Sequence, residues 1–280
     1  MRIAAPLPLL SLVLLLFSTV ALPVVYADDD SRNVRIRLVA ESGFLDIVDH
    51  RISYSEDDTP FRYHEDGGQD VLFPFARLSA EIRVSERHTV VFLYQPLELR
   101  TREKLPQDFS IDGEIFRGSE LDLFYSFPFY RVSYLNKIVQ RSRLALEAGA
   151  SLQIRNATTE FAAKGERAGL GPSGFYRAAN VGPVPLLKAR IRYDIGNGFW
   201  VGAEADGIYA PVSYLNGSDN ETVGALLDAS VRGGYTINPN VEVFLNVRYV
   251  GGGASNKDDE NYTYNWLNLT AVSLGAAVTK

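Results

Sequence analysis

The period of the apolar residues constrains this chain more than anything else, and after residue 27 that period is two. Leu144, Leu146, Ala148, Ala150, Leu152 and Ile154 alternate with Arg143, Ala145, Glu147, Gly149, Ser151 and Gln153. Leu187, Ala189, Ile191 and Tyr193 alternate with Lys188, Arg190, Arg192 and Asp194, and Val241 to Tyr249 repeats the pattern. Such alternation puts one apolar and one polar face on a strand. No stretch after residue 27 stays apolar for 18 residues, so no spanning helix is encoded there. The pattern predicts ten strands, at about 33–47, 72–85, 89–102, 119–136, 142–162, 184–195, 199–214, 223–237, 241–253 and 265–279.

The connections alternate in length. Ser85–His88, Asn136–Arg141, Gly196–Gly198 and Asn238–Asn240 are short, and Gly196-Asn197-Gly198 and Asn238-Pro239-Asn240 carry strong turn chemistry. Residues 48–71, 103–118, 163–183, 215–222 and 254–264 are longer and rich in Gly, Asp, Asn, Ser and Pro. Tight turns at one end, long loops at the other, long strands and an even strand count describe a transmembrane barrel. In this the chain resembles the bacterial outer-membrane β-barrel proteins as a class. The resemblance implies an all-β, antiparallel up-and-down transmembrane β-barrel of about ten strands. It also implies outer-membrane lipid as partner, periplasmic termini and long loops outside. The last residues, Val278-Thr279-Lys280, depart from the terminal aromatic usual in that class. A soluble β-sandwich or lipocalin-like barrel would show the same alternation with its apolar face inward. Strand length favours the membrane barrel. So do aromatics near strand ends, among them Phe75, Tyr130, Phe199, Tyr209, Tyr249 and Trp266.

Residues 1–27 read as a signal peptide, leaving 28–280 as one barrel domain. Arg2 supplies the positive charge, Leu9 to Leu22 the apolar run, and Val25-Tyr26-Ala27 a small-residue cleavage site ahead of Asp28, Asp29 and Asp30. An exported chain without cysteine fits a bacterial envelope better than a disulfide-stabilised secreted domain. The net charge of -6 argues against nucleic acid as partner.

If the apolar face meets lipid, the other face lines the lumen. The lumen charges expected on it are Arg35, Arg37, Glu41, Arg77, Glu81, Arg143, Glu147, Lys188, Arg190, Arg192, Glu204, Asp206, Asp228, Arg232 and Arg248. Arg83, Arg100, Arg155, Glu98, Asp194 and Glu242 share that parity. The signs nearly balance, as expected of charges paired across strands in a narrow barrel. In the fourth strand Asp122, Phe124 and Ser126 have one parity, and Arg131 and Ser133 the other. A bulge at Pro128 would let that strand switch faces.

Chemistry is sparse. His50 and His64 fall in the first long loop near Asp49, which makes them candidates for a catalytic acid–base cluster at the rim. No metal-ligand spacing and no phosphate loop is present, and Asp258-Asp259-Glu260 is too short a run to define a calcium site. No cofactor is expected. The reading is a barrel with a filled lumen that acts through its external loops, in a structural, adhesion or binding role with an extracellular ligand. The alternatives are an outer-membrane enzyme acting on lipid or peptide at the rim, and a narrow transport pore.

Overall fold

The computed structural model describes residues 34–53, 60–104, 108–111, 114–116, 120–163, 174–211, 223–256 and 262–280. The expected signal peptide and Asp258–Glu260 lie outside them. All regular structure among the described residues is strand: β1 (Arg35–Ser53), β2 (Phe61–Arg62), β3 (Phe73–Arg83), β4 (His88–Gln95), β5 (Glu98–Lys104), β6 (Phe109–Ile111), β7 (Glu114–Phe116), β8 (Glu120–Ser126), β9 (Phe129–Gln140), β10 (Leu144–Ala163), β11 (Phe175–Gly196), β12 (Phe199–Pro211), β13 (Val223–Asn238), β14 (Val241–Asn256) and β15 (Thr263–Thr279).

Antiparallel pairing runs β1, β3, β4, β9, β10, β11, β12, β13, β14, β15, and β15 returns to β1, so the sheet closes on itself with ten walls. β5 extends β4 beyond Pro96-Leu97, β8 leads into β9 across Phe127-Pro128, and β5 pairs with β8, which pairs with β10. The first strand meets the last at Arg37↔Thr279, so both ends of the described chain lie at the tight-turn end. Pairing of β15 with β1 leaves neither the first nor the last wall as a free edge, which is what a barrel achieves over a sandwich. Two strands exceed their expected bounds by more than five residues. β1 continues to Ser53 and β11 begins at Phe175, paired with β10 as far as Phe175↔Ala162. Gly182, Pro183 and Pro185 make the start of β11 look like a loop, yet the ladder to β10 holds through them.

At 20 residues, β10 is about 66 Å long, roughly twice what a tilted strand needs to cross a bilayer. Its outer face divides accordingly. Leu152 and Ile154 are exposed and apolar, and Asn156, Thr158 and Glu160 follow on the same side. On β4 and β5, outward Phe92 and Tyr94 give way to Glu98, Arg100 and Arg102. On β9 and β8, Val132 and Tyr130 give way to Asp122 and Glu120. Towards the loops, therefore, the outside turns polar, with ion pairs such as Arg102–Asp122 at 2.5 Å and Arg177–Glu160 at 3.3 Å. The inside turns apolar at the same height.

This inversion corrects the reading of strand four. Leu121, Leu123 and Tyr125 face inward together with Phe129, Arg131, Ser133 and Leu135, so Pro128 switches no face. The two residues of the break preserve the parity. What changes along the strand is the medium on either side of it. Arg100 and Glu98, expected inside, point outward for the same reason.

The turn at Gly196-Asn197-Gly198 has the positive φ values its sequence predicts, with Asn197 at 53° and Gly198 at 85°. A Cβ on Gly198 would also lie 2.8 Å from the Tyr235 ring. Gly198→Ala is expected to cost about 1–2 kcal/mol, read from urea unfolding in detergent.

Candidate functional site

The interior is built in layers. Nearest the turns is a cavity of about 780 Å³ lined by Arg35, Arg37, Glu81, Arg83, Lys137, Arg192, Trp200 and Glu242 among others. The next layer is a connected set of buried charges, each placed by the inward parity of its strand. Asp228 on β13 accepts from Arg131 Nη1 at 2.9 Å and from Arg77 Nη1 at 3.3 Å, and contacts Arg248. Asp206 on β12 lies 2.9 Å from the same Arg131 nitrogen and 2.7 Å from Lys188 Nζ, and it accepts from the Ser151 hydroxyl at 2.5 Å. Glu204 meets Lys188 at 2.9 Å. Glu41 accepts from Asn246 at 2.6 Å and from Ser273 at 3.1 Å, with Arg232 at 3.5 Å.

Towards the turns the network loosens and becomes part-exposed. Arg190 bridges Glu147 at 2.6 Å and Glu81 at 2.9 Å, Arg37 bridges Glu81 at 3.1 Å and Glu242 at 2.9 Å, and Arg192 reaches Glu242 at 2.8 Å. The β11–β12 register sets Lys188 opposite Asp206 and Arg190 opposite Glu204. Only the first of these becomes a close pair, because Arg190 reaches across to β10 and β3 instead. Arg35 lies exposed at the cavity lip. Arg143 is exposed in the turn before β10, one residue short of the wall. Neither makes an ion pair among the described residues.

Arg131 is the residue that parity reasoning missed. It is only 2% exposed, contacts both Asp206 and Asp228, and has Gln153 Oε1 2.9 Å from its Nε. The apolar inward residues upstream of Pro128 hid its parity. Lining up the fourth strand from Phe129 onward, without the segment before the proline, would have found it.

Above the charges two apolar clusters continue the fill. Leu45, Ile47, Phe73, Phe75, Leu97, Leu99, Phe129, Leu267 and Leu269 belong to the first. Ile52, Phe61, Tyr63, Ile111, Phe116, Leu121, Leu123, Phe161 and Tyr176 belong to the second. His50 lies among these groups and not in a loop. Its ring stacks on Tyr63 at 4.2 Å, meets Tyr125 edge-on at 4.4 Å, and hydrogen-bonds Gln69 through Nδ1 at 2.9 Å. A register shift between Ile47 and Asp49 turns His50 inward and Asp49 outward, where Asp49 accepts from Arg51 at 2.8 Å. The pair therefore forms no dyad, and His50, with no exposed surface, meets no substrate arriving at the rim. His64 stands in the turn after β2. His50 sits above the apolar belt, and burial pushes its imidazole down to about 4 against the opposing pull of Gln69 and Asp49.

No family model and no curated protein matches the sequence. Among solved structures the chain is similar to outer-membrane barrel proteins. With the outer membrane protease OmpT from Escherichia coli it shares 12% identity over 88% of this chain and 97% of that one, at a TM-score of 0.45. The transport unit of the autotransporter AIDA-I from Escherichia coli gives 8% identity, 96% and 97% coverage and a TM-score of 0.39. Ail, the attachment invasion locus protein of Yersinia pestis, gives 10%, 88% and 99%, and 0.34. The likeness is one of general shape, and the barrel assignment rests on the closed ladder.

Two outcomes follow from this geometry. Asp228→Ala strips Arg77, Arg131 and Arg248 of a shared partner and should lower stability by about 3–5 kcal/mol. Removing Lys188 and Asp206 together should cost less than the sum of the single losses, which a double-mutant cycle by urea titration reads directly. For His50, only the unfolded chain takes up a proton between pH 6.5 and about 4. Its contribution is complete above pH 6.5 and should fall by about 3 kcal/mol as the pH drops to 4. That part of the pH slope should vanish in His50→Gln.

Proposed function

We propose that this protein is an outer-membrane barrel that conducts nothing and acts through its long-loop end, which projects beyond the membrane as a platform for an extracellular ligand. One observation carries the reading: the interior is filled by charges and then by apolar side chains at the heights where the outside is first apolar and then polar. The exposed apolar belt, with residues such as Leu245 at 49% and Val231 at 64%, suits outer-membrane lipid. The polar outer face above it suits water on the loop side. Cleavage after Ala27 would deliver the chain from the periplasm, and the meeting of its two ends at the tight turns suits periplasmic termini.

The filled interior weighs against a transport pore. Eight strands enclose a lumen that side chains just fill, and wide aqueous channels need roughly 16. Here the ionic layer is backed by two apolar clusters, so an ion leaving the turn-end cavity would have to pass the paired charges and then apolar side chains. The enclosure of His50 and the outward turn of Asp49 weigh against the rim enzyme built on those residues.

Reconstitution in a planar bilayer is expected to give no steady conductance step, and cells should yield a heat-modifiable protein in the outer-membrane fraction whose long loops external protease cuts. A large, stable conductance would defeat the platform reading. Recovery as a soluble periplasmic monomer would defeat the membrane placement.

A further inference from the structure

The wall between β11 and β12 is paired over only part of its height. Their ladder runs from Gly196↔Phe199 to Leu187↔Gly207 and stops. Both strands continue past that point. β11 stays paired with β10 as far as Phe175↔Ala162, and β12 stays paired with β13 as far as Pro211↔Val223. Residues 183–186 and 208–211 therefore face each other as two sheet edges with no ladder between them among the described residues.

The sequence supplies the cause. Pro183 and Pro185 have no N–H, yet the ladder to β10 passes through both, at Ile154↔Pro183 and Leu152↔Pro185. In an antiparallel sheet each residue directs its N–H to one neighbour only. A proline fits an unbroken ladder where its missing donor faces the other side. Both missing donors thus face β12.

The opening lies at membrane height. Leu152 and Ile154, the partners of the prolines, are the last apolar outward residues of β10 before Asn156. Leu187 and Tyr209, which flank the opening on the outside, are each 77% exposed. Behind it, above the ionic layer, the lumen is not packed on this one side. A Cβ built on inward-facing Gly182 meets no atom within 4 Å, Val184 is only half-buried, and Asn180 is exposed although it faces inward. The first apolar cluster packs against the opposite side and takes no residue from β10 to β13. Unpaired backbone donors in hydrocarbon are costly, and at Pro183 and Pro185 there is no donor to leave unpaired.

We propose that the barrel is open laterally to the membrane between β11 and β12, and that an acyl chain of a surrounding lipid enters there to occupy the space inside Gly182 and Val184. This rests on the membrane placement proposed above. The ionic layer around Lys188 closes the space towards the turns, so the site is a dead-end lipid pocket and not a passage.

The chain has no cysteine, so single cysteines label cleanly. A bimane label at Val184→Cys (inward, beside the opening), Leu187→Cys (outward) or Arg35→Cys (turn-end cavity) would be read in vesicles of phosphatidylcholine brominated in mid-chain. Each variant is first shown to be folded by its heat-modifiable mobility. The label at Val184 should be quenched at least half as strongly as that at Leu187, and that at Arg35 not at all. Quenching at Leu187 with Val184 as silent as Arg35 would overturn the lateral opening alone. Silence at Leu187 as well would remove the membrane placement and the opening with it. A second measurement uses cysteine pairs. Ala189→Cys with Ala205→Cys, partners in register, should form a disulfide under mild oxidation. Val184→Cys with Ala210→Cys, a pair that a continued ladder would create and that keeps both prolines, should stay reduced. Disulfide formation by both pairs at the same rate would mean the wall is closed.

Discussion

Closure of the hydrogen-bond ladder is the constraint on which the rest of this structure depends. Once β15 pairs with β1, the diameter is set by the number of walls, and the interior becomes a space of fixed and small size. Every inward side chain must then share that space with its opposite numbers. An inward charge in the buried layer cannot reach bulk water, so it needs a partner from another wall. Asp228 meets arginines from β3, β9 and β14, and Asp206 meets cations from β9 and β11. The ionic layer stitches together strands far apart in sequence, and it does so only because closure has already brought them face to face.

The second organising feature is the change of medium along the strands. A strand of 20 residues is about twice as long as a bilayer crossing needs, and along it the polarity of each face reverses. Inside the belt the outward positions are apolar and the inward ones charged. Beyond it the outward positions form surface ion pairs and the inward ones a hydrocarbon core. With the membrane placement proposed above, the upper half is organised like a soluble barrel standing on a membrane barrel. His50 belongs to that upper core: the register shift in β1 turns it into an aromatic box, where a neutral imidazole packs as one more flat ring. The seam between β11 and β12 departs from full closure where two prolines withdraw their donors from one side.

Much of the lower barrel was legible in the chain. Period-two runs such as Val241 to Tyr249 mark their strands and faces without ambiguity, because a wall with lipid on one side and a charged lumen on the other imposes strict alternation. Glu41, Arg77, Glu204 and Asp228 could be assigned to the lumen on parity alone, and the turn at Gly196-Asn197-Gly198 by its residues. The upper barrel was not legible in the same way. Where both media change, alternation persists but its sign reverses, and Asp122 and Arg131 on one strand seem to contradict each other. Arg131 was overlooked and Arg100 and Glu98 were placed inside for that reason. His50 and Asp49 looked like neighbours in a loop because a one-residue register shift leaves no mark in composition.

The sequence by itself determined the local terms: strand periodicity, tight turns where Gly and Asn permit positive φ, and an inward supply of opposite charges in near balance. These depend on a residue and its near neighbours, which is why they can be read along the chain. Only the tertiary structure decided which charges meet, where the inside changes from ionic to apolar, and where the wall stays unpaired. Those depend on the stagger of walls remote in sequence. Parity says that Arg190 and Glu204 both face inward, and the closed barrel decides that Arg190 binds Glu147 and Glu81 while Lys188 takes Glu204.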